Sequence, residues 1–92
     1  MVLHLGGDVV IPVEYIIAIV NLESTEQTYI NREFLKTAAE EGFIRKISDD
    51  KPKSFILAEI DKKSVVFMSP ISSTTLLKRS SFVEGMSIKG KY

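Results

Sequence analysis

Ninety-two residues, 45% hydrophobic and 26% charged, make one small globular domain with no room for a second core. The chain has no cysteine, which excludes disulfides, thiolate metal sites and cysteine nucleophiles, and no apolar run approaches the roughly 20 residues of a bilayer-spanning helix. Twelve acids balance twelve bases, but unevenly: residues 1–44 carry seven acids against two bases and residues 45–92 ten bases against five acids, halves of −5 and +5.

The opening "MVLHLGGDVV" lacks the basic and long apolar regions of a signal peptide, so a soluble cytoplasmic protein is expected. Val2–Leu5 and Val9–Ile11 read as a hairpin around Gly6-Gly7-Asp8, because glycine tolerates the positive φ of a tight turn. Pro12 interrupts pairing, and Tyr15–Leu22 reads as a longer β-branched strand; a helix starting at Pro12 is the alternative.

Residues 28–41 carry the clearest helical period, with Ile30, Phe34 and Ala38 every four residues and Leu35 beside them. Thr28 is placed to cap its start, and Gly42 stands where a left-handed residue ends a helix. Asn31, Arg32, Glu33, Lys36 and Glu40 form the opposite, solvated face. Phe43–Ile47 reads as a short strand and residues 48–53, "SDDKPK", as a loop. Residues 54–60 and 64–69 form the best hairpin, joined by Asp61-Lys62-Lys63 without a glycine. Pro70 stops the last strand, Ser72 or Ser73 caps a short helix, Leu76 and Leu77 supply its buried side, and Lys78 and Arg79 meet its carbonyl end. The expected architecture is α+β, one domain over 1–84 with a mobile tail at 85–92.

The strands at 16–20, 54–60 and 64–69 are apolar on both faces, and such strands need cover on both sides. One amphipathic helix and one short helix cover about one face. A second sheet from the same chain, or another copy, must cover the rest, and a homo-oligomer is expected over a sheet closing on its own core.

Catalytic patterns are sparse. His4 alternates with apolar neighbours, Glu40 and Glu41 point about 100° apart on a helix, Asp49-Asp50 has no third ligand nearby, and "HLGGD" lacks the strand–GxGxxG–helix context of a dinucleotide site. No enzyme activity, cofactor or metal is expected. Cations are more informative. Lys51 and Lys53 flank Pro52, whose fixed φ stiffens their loop; Arg45, Lys46, Lys62, Lys63 and Lys78 add weaker candidates for DNA phosphates. Repeating such a modest patch in an oligomer multiplies its effective concentration on DNA. The second reading is an oligomeric protein–protein interaction module that binds no nucleic acid.

"HLGGD", "YIIAIV", "KPKSFIL" and above all "SPISSTTLLKR" resemble the bacterial RemA/RemB-type extracellular-matrix regulatory proteins, over roughly residues 3–82, with the RemB-like branch the closer match. The resemblance implies a cytoplasmic protein without enzyme activity, whose RemA branch activates transcription of biofilm-matrix genes. It further implies ring-like oligomers of LytTR-like subunits that wrap DNA. In the RemA register Lys51 and Lys53 occupy basic positions, whereas Asp50 and Tyr15 stand where RemA has basic residues. Arg79 matches an arginine late in the terminal helix, implying a subunit contact or helix capping.

Overall fold

A computed structural model describes residues 1–23 and 29–80. Within them the chain runs β1 (Val2–Gly6), β2 (Val9–Pro12), a 3₁₀ turn (Val13–Tyr15), β3 (Ile16–Asn21), α1 (Tyr29–Glu40), β4 (Ile44–Lys46), β5 (Ser54–Ile60), β6 (Lys63–Ser69) and α2 (Ser73–Arg79). This is a small α+β fold. The expected cap at Thr28 and the tail expected at 85–92 lie outside the described residues. Among those residues no helix is long and apolar enough to cross a membrane.

The central element is a four-stranded sheet in the order β3-β5-β6-β4, antiparallel except for the parallel pair β4 and β6. β5 and β6 form the expected hairpin, with Lys63 already paired to Ile60, so its turn is only Asp61-Lys62. Both turn residues have positive φ, 52° and 67°. That is the type I′ geometry which matches strand twist, here built without glycine. On β3 the register advances two residues, Ile16 to Ala18, against one step on β5. Ile17 is the extra residue of this bulge and is 57% exposed on the sheet edge.

Alternation along β5 divides the core in two. Ile56 and Ala58 pack with Leu3, Leu5, Ile11, Val13 and Leu76, from the β1–β2 hairpin, the 3₁₀ turn and α2. Phe55, on the opposite face, packs with Val66 and with Ala38 of α1, and its ring stacks on Phe34 at 5.9 Å between centroids. The sheet is therefore a middle layer, with α1 on one face and the hairpin plus α2 on the other. Of the two covers expected for the remaining face, a second sheet from the same chain or another copy, the structure has the first: β1 and β2 form that sheet.

Local chemistry explains the joints. Ser72 caps α2 by accepting from the Thr75 amide at 3.2 Å. Gly42, at φ 78°, ends α1 in a Schellman arrangement: the Phe43 amide donates to the Ala38 carbonyl at 2.8 Å and the Gly42 amide to Ala39 at 3.2 Å. Gly6 has φ 120°, and a Cβ there would lie 3.1 Å from Pro70 Cδ. The β1 end therefore nests against the start of the β6–α2 connection only because it carries no side chain.

Three sequence expectations are adjusted. β3 starts at Ile16, because Pro12 closes β2 and the chain first makes the 3₁₀ turn. On α1 the stripe is buried only toward its C-terminal end: Ala38 is buried, Phe34 is 38% exposed and Ile30 75% exposed. On α2 only Leu76 faces the core; Leu77, one residue on and about 100° around the helix, is exposed.

Candidate nucleic-acid interface

The loop between β4 and β5 carries Lys51, Pro52 and Lys53, with both lysines exposed and the proline half-buried. Its end is held firmly. The Lys53 amide donates to the Ser69 carbonyl at 2.8 Å, and its carbonyl accepts from the Leu22 amide at 2.9 Å. Lys53 thus continues the sheet between the last residue of β6 and the residue after β3, so its ammonium projects from a rigid backbone. Asp49 and Asp50 are exposed on the same loop. The Asp50 amide donates to Ser48 Oγ at 3.2 Å, and neither aspartate pairs with Lys51 or Lys53 among the described residues. Two carboxylates beside two ammonium groups still weaken the local field.

The other predicted cations do not join this pair. β6 runs antiparallel to β5, so Lys62 and Lys63 lie at the opposite end of the sheet. Seven residues of strand at about 3.3 Å each separate the two ends by about 20 Å. Arg45 is on edge strand β4, and its guanidinium donates to the Gly42 carbonyl at 3.1 Å and the Ile44 carbonyl at 3.2 Å. This folds it back toward the closing turn of α1. Lys78 and Arg79 end α2, where the helix dipole favours cations. Arg79 also reaches the His4 carbonyl of β1 at 3.5 Å, a long contact within the chain. His4 itself donates through Nε2 to the Gly7 carbonyl at 2.7 Å, bracing the β1–β2 turn. Tyr15 ends the 3₁₀ turn, partly exposed.

Arg45, Lys46 and Lys63, with Asp61, instead border a groove of about 530 Å³. Its floor is Val9, Ile47, Ile60, Val65 and Phe67, all half-buried. Sequence reasoning missed this groove. Ile60 and Val65 were legible as apolar, but not that the short β1–β2 hairpin leaves them half-covered. Among the described residues no group of three or more His, Cys, Asp or Glu side chains is placed to hold a metal ion.

Compared with known families, residues 2–79 match the family model described as RemA-like, extracellular matrix regulatory protein A-like. No curated protein matches the chain.

Proposed function

We propose, since the chain belongs to the RemA-like family, that it is a non-enzymatic, cytoplasmic regulator of extracellular-matrix genes that binds the phosphate backbone of duplex DNA. The observation that carries this reading is the Lys51–Pro52–Lys53 segment: two exposed ammonium groups, the second anchored to two strands by its own backbone. Cations on a rigid support lose little conformational freedom when they meet phosphates, and each contact releases a condensed counterion. Arg45, Lys46, Lys62, Lys63 and Lys78 are weaker candidates: Lys62 and Lys63 lie at the far end of the sheet, and Arg45, Lys46 and Lys63 border the separate groove. Asp50 and Tyr15, in place of basic residues, support a modest DNA affinity, in keeping with the resemblance to the RemB-like branch.

Two lysines in one copy bind weakly, so the reading includes a homo-oligomer, ring-like by family resemblance, that repeats the loop along DNA. The apolar residues that α1 leaves uncovered, Tyr29, Ile30 and Phe34, support self-association. Titrating labelled duplex DNA at two salt concentrations tests the function. Binding that weakens steeply with salt is expected; no binding at low salt would leave the protein-interaction module as the better reading.

A further inference from the structure

The two faces of the β5–β6 hairpin end differently. On the α1 side, cover runs out after Leu57 and Val66, and the next facing pair is Glu59 and Ser64, both exposed and polar. On the hairpin side the cover thins without ending and the strands stay apolar: Ile60 and Phe67 still pack against the core and, with Val65, are half-buried. A sheet face that meets only water alternates to polar residues, as the α1 side does. The apolar corner beside β4 is therefore covered only in part by the chain itself.

We propose that this groove binds a small amphipathic organic anion, its apolar body on Ile47, Ile60, Val65 and Phe67 and its head group between Arg45 and Lys63. The volume, about 530 Å³, falls within the range of small-molecule sites. Beside the apolar floor, Arg45 and Lys63 outnumber the single acid Asp61, while alternation along β4 turns the Lys46 side chain to the α1 face with Ile44; the remaining positive excess selects an anionic head. Arg45 is already oriented, because its Gly42 and Ile44 contacts hold one end of the guanidinium and leave further N–H donors for a carboxylate, sulfonate or phosphate. A DNA backbone does not fit this arrangement, since it has no apolar body to cover the floor. The Ile60–Lys63 end of the site lies about 20 Å from Lys53 along β5, while Phe67 pairs with Ile56, nearer to it, and the site stands whether or not Lys51 and Lys53 contact DNA.

A matched pair of fluorescent probes tests it: 8-anilinonaphthalene-1-sulfonate and the neutral N-phenyl-1-naphthylamine, which has the same rings without the sulfonate. With the full chain, the sulfonate should bind at least about tenfold more tightly than the neutral probe. Its amide NMR shifts should centre on Ile47, Ile60, Val65 and Phe67. Arg45→Gln and Lys63→Gln should each weaken it by about tenfold, while Lys51→Gln leaves it unchanged. Equal binding of both probes, or shifts centred on Tyr29–Phe34 of α1, would overturn the proposal. So would shifts at the groove that grow with protein concentration alone, because a second copy would then be its occupant. Intact amide spectra of both glutamine variants keep any loss of binding separate from loss of fold.

Discussion

Ser54 and Ser69 face each other across β5 and β6, both with no exposure to solvent, and together they fasten α2 and the β1–β2 hairpin to the sheet. Ser69 Oγ donates to the Leu5 carbonyl at 2.6 Å and accepts from the Ile71 amide at 3.0 Å, while Ser54 Oγ donates to the Ile71 carbonyl at 2.8 Å. Two hydroxyls thus satisfy backbone groups of β1 and of the β6–α2 connection, which carry no ladder partner there. Ser69→Ala would strand the Leu5 carbonyl and the Ile71 amide in the interior and should cost about 1–3 kcal/mol. Urea unfolding at unchanged m would read it as a lower midpoint. An unmoved midpoint would mean that water or relaxation replaces the serine.

The close approach of Gly6 to Pro70 separates two glycine substitutions that look alike in sequence. Gly42 also has positive φ, but a Cβ there would meet nothing within 4 Å. Gly42→Ala should therefore cost only the left-handed backbone penalty, about 1 kcal/mol. Gly6→Ala adds displacement of Pro70 and Ile47, and should cost about 2–3 kcal/mol. Thermal melts of the two variants would rank them; equal losses would show that the Pro70 contact yields freely.

The Asp61-Lys62 turn contains avoidable strain. Lys62, at φ 67°, occupies the second central position of a type I′ turn, where glycine is preferred. Lys62→Gly should stabilise the protein by about 0.5–1 kcal/mol, net of the entropy that glycine adds to the unfolded chain. For a domain of this size that raises the melting temperature by roughly 2–8 °C. A lower melting temperature would mean that the lysine makes a favourable contact in the turn.

Charge in the Lys51–Lys53 loop should set DNA affinity. Asp50→Arg removes an acid and supplies a bidentate donor beside Lys51. Duplex affinity should rise, and the slope of log K against log salt should steepen by about 1. Lys51→Gln combined with Lys53→Gln should flatten that slope by about 2. Slopes that ignore all three positions would place the DNA contact elsewhere.

Exposure along α1 predicts assembly. Ile30 is 75% exposed, so Ile30→Glu should change monomer stability by less than about 0.5 kcal/mol. If copies bury this stripe against one another, light scattering should give a multiple of 10.3 kDa for the parent chain and a smaller mass for the variant. A parent chain of monomer mass at high concentration would remove the assembly.

Much of the fold was legible before any coordinates. Gly6-Gly7-Asp8 marked the first turn, Gly42 the end of α1, Ser72 or Ser73 the start of α2, and Lys51-Pro52-Lys53 a stiff basic loop. Each is a local signal: φ preference, capping and proline geometry act within a few residues, so the chain states them directly. Apolar residues on both faces of β5 and β6 likewise stated that two covers were needed.

Which segment supplies each cover was decided only by tertiary structure. The β1–β2 hairpin reaches the sheet through contacts such as Ser69 to Leu5, 64 residues apart, and β4 joins it through parallel pairing with β6. Periodicity records which side chains share a face, not how far a neighbour extends across it. Sequence alone therefore determined most of the elements and the stiff Lys51-Pro52-Lys53 segment. The exposed half of the α1 stripe, the two separated ends of the cation set and the half-covered Ile60–Val65 corner came from how far the short hairpin and α1 reach over a longer sheet.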